Sequence, residues 1–197
     1  MKYMKYVEKY TELGAPRWLV HLADVIFKGL PNEKAQMWPD KFISAIKPGA
    51  DLEKIKAPFL IFLLESFLEA MVILKYDEKK FPIVKTAIKN SSDVISNIVN
   101  ALKKEDWKAV SDAWSIADSA TSDARSAVRA AIWEASKTAE FAASVAKSAA
   151  STVRLVTLVA SNDLAVALAA SSAVSLNDFN NLCEKFSEKI IKLIEGL

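Results

Sequence analysis

Apolar residues recur along the chain at spacings of three and four, and no run alternates with the period of two that a half-buried strand would show. The pattern predicts helices throughout. Proline and glycine divide them: all six prolines lie at or before Pro82, and three of the four glycines are Gly14, Gly29 and Gly49. A first helix is expected over Tyr3–Leu13, ended by Gly14. A second starts at Pro16, carries Trp18, Leu19, Leu22, Val25 and Ile26 on one face, and ends at Gly29. A third is expected from Pro39 to Lys47. Pro48-Gly49 then fits the centre of a type II turn, and Asp51 is placed to cap a short turn that follows. Pro58 to Lys75 is apolar nearly all round except at Glu65, Ser66 and Glu69, as in a helix surrounded by others. Pro82 opens a helix that keeps its apolar spacing to Lys104.

Beyond residue 105 the pattern changes. Ala113, Ala117, Ala120, Ala124, Ala127, Ala131, Ala135, Ala139, Ala142, Ala146 and Ala149 step by three or four without interruption. Alanine is the best helix former and loses no side-chain entropy on burial. A stripe of it brings a neighbouring helix to the short end of the usual 8–10 Å axial separation. Ser115, Ser119, Ser122 and Ser126 form a second stripe of small residues, so close approach from a second side is expected as well. The break in this half is expected at Asn162-Asp163, with Ser119–Ser122 a weaker place for one. A last amphipathic helix starts near Asn177-Asp178, with Phe179, Leu182, Cys183, Phe186, Ile190, Leu193, Ile194 and Leu197 on its apolar side and Glu188 and Lys192 paired on the other. The reading is an all-α single helical bundle over residues 1–197, in which short N-terminal helices (front half, 1–105) pack on long alanine-rich helices (back half, 106–197).

Composition narrows the function classes. Apolar residues make up 52% of 197 residues, enough for a sizeable core. A formal net charge of +2 gives no basic footprint for nucleic acid. Ala57–Leu74 is interrupted by Glu65 and Glu69, and Leu155–Leu176 by Asn162 and Asp163, so both read as core helices rather than membrane spans. Met1–Tyr10 alternates lysine and tyrosine without an apolar stretch, so no secretory signal is expected and a cytoplasmic location is. Neither a nucleic-acid nor a membrane partner is expected.

The residues that carry chemistry are few. One cysteine, Cys183, excludes an internal disulfide and a multi-cysteine metal site; one histidine, His21, excludes paired-histidine metal motifs. His21 shares a polar helix face with Arg17, Asp24 and Lys28 and reads as a surface residue. Cys183, on an apolar stripe, reads as a small hydrophobe. Glu65 and Glu69 stack one turn apart, yet a di-iron bundle site needs two Glu-x-x-His repeats that this chain lacks. The expectation is therefore no catalytic set, no metal and no cofactor. One group remains as a binding candidate: Arg125, Arg129 and Trp133, spaced by four on the side away from the alanine stripe, with Asp118 and Ser122 nearby. Arginine grips carboxylate or phosphate in a fork and stacks on tryptophan, and both residue types anchor interfaces. The competing reading has Trp133 packed into the front half with the arginines snorkelling around it.

The stretches GAPRWLVHLADVIFKGLP (Gly14–Pro31), MWPDKFISAI (Met37–Ile46) and PGADL (Pro48–Leu52), followed by an alanine-rich half, resemble a group of uncharacterised bacterial and phage helical proteins. The alanine-rich half alone is similar to immunity proteins of bacterial toxin systems. The second resemblance implies binding and neutralising a toxin. Three functions are expected in descending order. The first is a non-enzymatic binding protein of a bacterial or phage conflict system, of immunity or anti-defence type, that sequesters a protein partner. The second is a sponge for a small anionic ligand such as a nucleotide signal. The third is a structural or self-assembling protein, and a homo-oligomer is left open.

Overall fold

The computed structural model describes residues 2–134, 136–156 and 179–197. Among them there are nine α-helices and no strand, as the spacing predicts. The helices are α1 (Lys2–Glu12), α2 (Arg17–Gly29), α3 (Asn32–Ala45), α4 (Lys56–Val72), α5 (Pro82–Lys103), α6 (Trp107–Asp112), α7 (Trp114–Trp133), α8 (Lys137–Val156) and α9 (Phe179–Glu195). A short 3-10 turn, Leu52–Ile55, leads into α4.

Local chemistry sets most boundaries. Gly14 and Gly49 both have positive φ, which glycine adopts without a steric penalty. The Lys47–Ala50 turn closes with a 3.1 Å hydrogen bond from the Ala50 N–H to the Lys47 carbonyl, with Gly49 at φ 79° in the position a type II turn reserves for glycine. Asp51 precedes the 3-10 turn but its side chain makes no capping bond. Asp106 does cap: its Oδ1 accepts the Ala109 N–H at 2.9 Å and opens α6, a separate short helix that the spacing alone did not separate from α7.

The third helix begins seven residues before its expected start at Pro39. It starts at Asn32, and Pro39 lies inside it. Proline there removes one intrahelical bond, a cost of about 3 kcal/mol in a helix interior. Tertiary contacts offset it. Trp38 and Phe42 are buried, the Trp38 Nε1–H donates to the Ala23 carbonyl of α2 at 3.2 Å, and Tyr10 meets Phe42 edge-to-face at 4.9 Å between ring centroids.

The alanine-rich half departs most from expectation. Ser119–Ser122 lies within α7, and Asn162-Asp163 lies outside the described residues, as does Asn177-Asp178. The helix instead turns back at Glu134–Ser136. The Ser136 N–H bonds to the Ala131 carbonyl at 3.1 Å to close α7, and the Ser136 carbonyl accepts the Glu140 N–H at 2.9 Å to open α8. So short a connection makes α7 and α8 an antiparallel hairpin. The alanine stripe is folded on itself: Ala117, Ala120, Ala124, Ala127 and Ala131 of α7 and Ala139, Ala142, Ala146 and Ala149 of α8 are all buried. Ala113 is only partly buried, and Ala135 lies outside the described residues.

Helix α5 completes this seam, although it belongs by sequence to the front half. It lies against α4, α7 and α8. Ser91, fully buried, donates its Oγ to the Ala146 carbonyl of α8 at 3.2 Å, and Asn90 Nδ2 donates to Asp123 Oδ2 of α7 at 3.0 Å. A serine hydroxyl meets another helix's main chain only where the two helices approach closely. Among the α7 hydroxyls it is Thr121 that is buried, satisfied by the Ala117 carbonyl at 2.8 Å; Ser115, Ser119, Ser122 and Ser126 are exposed. The second close approach expected through the serines does not occur.

Large side chains fill the other part of the core. Trp18, Leu19, Leu22 and Ile26 of α2, Phe59, Leu60, Leu63 and Leu64 of α4, and Cys183, Phe186, Ile190 and Ile194 of α9 form one cluster with the C-terminal part of α5. Lys34 and Glu184 tie α3 to α9 with a 2.6 Å ion pair, whereas the pair expected between Glu188 and Lys192 does not close. Helix α4 is not enclosed: Glu65 pairs with Lys103 of α5 at 2.9 Å, and Glu69 is exposed.

Two predictions follow from this packing. Ala127→Leu or Ala131→Leu forces a branched side chain into a seam with no room, and urea unfolding should show a loss of about 1–3 kcal/mol. Neutral behaviour at both positions would mean the seam is open to solvent. Tyr10 Oη is buried without a hydrogen-bond partner among the described residues, and burial pushes its ionisation well above the ordinary tyrosine range. Tyr10→Phe removes an unsatisfied hydroxyl, so it should leave stability equal or raise it by about 1 kcal/mol. A large loss would reveal a hidden partner for the hydroxyl.

Candidate functional site

The outward face of α7 carries the candidate residues. The inward face of this helix is fixed by Ala117, Ala120, Ala124, Ala127 and Ala131, with Thr121 buried beside them, and residues on the opposite side of the helix point away from the seam. Arg125, Arg129 and Trp133 fall on that outer side, separated by about 6 Å per step along the axis. All three are exposed, and Trp133, the last residue of α7, is 88% exposed. Asp118 and Ser122, on the same side, are exposed too. Sequence spacing therefore brings the group together correctly. The competing picture, with Trp133 packed into the front half, is not what the structure shows.

Two details differ from the expected arrangement. Arg129 makes no cation–π contact with Trp133 among the described residues; the aromatic rings that receive a lysine are Phe81, from Lys80 at 5.5 Å, and Phe62, from Lys189 at 5.3 Å. Neither Arg125 nor Arg129 forms an ion pair among the described residues. The guanidinium forks are left with their donors toward solvent. A row of two such forks ending in a bare indole can bind carboxylates or phosphates and bury an aromatic face against a partner. It encloses nothing, so a small ligand lying on it alone would keep much of its surface in water, unlike the ordinary ligand site.

The other candidates lie elsewhere in the fold. Lys28 takes Asp24 as its partner at 2.7 Å, and His21 is half-buried one turn earlier on α2. Cys183 is fully buried on α9 against the aromatic cluster, and burial pushes its thiol up to about 11. A nucleophilic cysteine needs the opposite shift, toward a stable thiolate. Helices α2 and α9 pack together, yet no hydrogen bond joins His21 to Cys183 among the described residues. No group of three or more His, Cys, Asp or Glu side chains that could hold a metal exists among the described residues.

Spacing missed a second exposed group. Val72 and Ile73, at the end of α4, are 84% and 75% exposed. Spacing alone places them in an enclosed helix, because the helix is apolar nearly all round. The nearby turn signals, Lys75 to Lys80, were the clue that the helix end protrudes from the bundle.

The buried state of Cys183 gives a direct check. Its folded pKa lies above the ordinary thiol value, so the folded state keeps the proton longer than the unfolded chain does. The stabilisation is fully present below about pH 9 and falls as the pH rises toward 11. The urea midpoint should decline over that window more steeply for the wild type than for Cys183→Ala. A disulfide reagent at pH 8 should label the thiol only after denaturation. Prompt labelling of the native protein would place the thiol at the surface.

Compared with family models, with curated proteins and with solved structures, the chain matches none of them. The resemblance drawn from Gly14–Pro31, Met37–Ile46 and Pro48–Leu52 accordingly rests on those residues alone.

Proposed function

We propose that this chain is a non-enzymatic binding protein that acts by holding a protein partner against the outer face of α7. The observation that carries the reading is Trp133, 88% exposed at the end of a row with Arg125 and Arg129. An indole left in water forgoes several kcal/mol of burial, on the order of 150–250 Å² at about 25 cal/mol per Å². Tryptophan and arginine are the residue types that most often dominate interfaces. The likeness of the alanine-rich half to immunity proteins points to a bacterial or phage conflict system, with the captured partner a toxin or a defence factor. Its complementary surface would be acidic with an apolar pocket for the indole. A small-molecule sponge is the weaker reading, because the arginine row lies on an open helix face and not between the halves of the bundle.

The test is co-expression with the products of adjacent genes, scored by survival and by co-purification. Arg125→Glu with Arg129→Glu reverses two charges on an exposed face, so each should change stability by only about 0.5 kcal/mol. Capture should weaken about thirtyfold if the arginines are anchors. Unchanged capture with an unchanged melt would remove this face from the site.

A further inference from the structure

Six of the nine large apolar side chains that are exposed among the described residues lie at one end of the molecule: Val72, Ile73, Ile83, Ile132, Trp133 and Phe141. Their neighbours in sequence establish the common location. Leu74, Tyr76 and Phe81 of the α4–α5 connection, Val84 of α5, Ala131 of α7 and Ala139 of α8 belong to a single packed cluster. The C-terminus of α4, the N-terminus of α5, and the α7–α8 turn therefore meet there. Val72 and Ile73 lie at the end of α4, Ile83 in the first turn of α5, Ile132 and Trp133 at the end of α7, and Phe141 about one turn into α8.

The charge at this end is also distinctive. Residues 72–85 and 129–141 hold six basic and four acidic side chains, an excess equal to the formal net charge of +2 of the whole chain. Two of the acids are already engaged. The Asp77 carboxylate accepts the backbone N–H groups of Lys79 and Lys80 at 3.0 and 3.1 Å, and Glu78 pairs with Lys85 at 2.8 Å. Lys75, Lys79, Lys80 and Lys137 remain exposed at this end, together with the other two acids, Glu134 and Glu140, so the balance is a modest cationic excess. An indole beside aliphatic side chains, with lysines on flexible stems in excess over carboxylates, is a combination that suits the headgroup layer of an anionic bilayer.

We propose that this end of the bundle docks on the surface of an anionic bilayer, with Val72, Ile73 and Trp133 at headgroup depth and the lysines against lipid phosphates. No helix among the described residues is long and apolar enough to span a membrane, so the contact is peripheral. A second copy of the chain is a poorer occupant. A two-fold interface would set this positive end against itself, and like charges across an interface oppose association. The docking goes beyond partner capture and shares Trp133 with it; the two fail separately because docking is tested at Val72 and Ile73, outside the arginine row, and capture at Arg125 and Arg129.

The experiment is sedimentation of the full chain with vesicles of phosphatidylcholine alone and of phosphatidylcholine with one-quarter phosphatidylglycerol. Binding is expected only to the anionic vesicles, with a blue shift in tryptophan emission that Trp133→Phe abolishes. Val72→Ser with Ile73→Ser should reduce binding about tenfold or more at an unchanged melting temperature. Absence of binding to anionic vesicles overturns the proposal. So does binding that the double substitution leaves intact, since that contact would lie elsewhere on the surface. Concentration-dependent dimerisation in light scattering, removed by the same substitution, would instead assign the end to self-association and also overturn it.

Discussion

Close approach of helix backbones through alanine is the constraint on which the rest of the molecule depends. Helices α5, α7 and α8 meet along a seam in which the contact residues are mostly alanine, with a buried serine reaching a neighbouring main chain. Each alanine methyl contributes only about 0.8 kcal/mol of burial, less than half of what a leucine supplies. It offsets this by losing no rotamer freedom and by favouring the helix before any packing occurs. Stability here comes from many small contributions at short range, and a seam of that kind tolerates little added volume.

The seam is matched by an opposite solution in the remaining core. Around α2, α3, α4 and α9 the gaps are wide and are filled by Trp18, Phe42, Phe59 and Phe186, with edge-to-face contacts such as Phe59 with Phe186 at 5.7 Å. Helix α5 joins the two regimes. Its N-terminal part supplies Val84 and Ala87 to the alanine cluster, and its C-terminal part supplies Ile95, Ile98, Val99 and Leu102 to the aromatic one. A division of the chain at residue 105 is therefore not a division of the core, because the helix before that point is packed with the helices after it.

The same seam determines what is left outside. Alanine supplies most of the inner-face contact of α7 and α8, beside the buried Thr121, Val145, Thr152 and Val153, and the bulkiest exposed side chains described on these helices lie outward. Trp133, Ile132 and Phe141 are exposed, and Arg125 and Arg129 share that outer surface of α7. The outer surfaces of α7 and of the start of α8 accordingly carry exposed apolar and cationic side chains. Both proposed contacts draw on Trp133, which this packing leaves exposed.

Helix content, the inner face of alanines, the boundaries at Gly14, Gly29, Pro48-Gly49 and Pro82, and the outward row of Arg125, Arg129 and Trp133 were all legible in the amino-acid order. Each follows from local rules: a spacing of 3.6, a positive φ, a missing N–H. The reversal at Glu134–Ser136 was not legible. Ala131, Ala135 and Ala139 keep the step of four straight through it, and glutamate, alanine and serine are all acceptable within a helix. What turns the chain there is the mutual burial of two alanine faces that only folding brings opposite each other. Tertiary packing likewise decided that Pro39 lies inside a helix, that the serine stripe faces water, and that Val72 and Ile73 join Trp133 at one exposed end. Periodicity states which side of a helix is apolar. Only the neighbours that arrive from distant parts of the chain determine whether that side is covered.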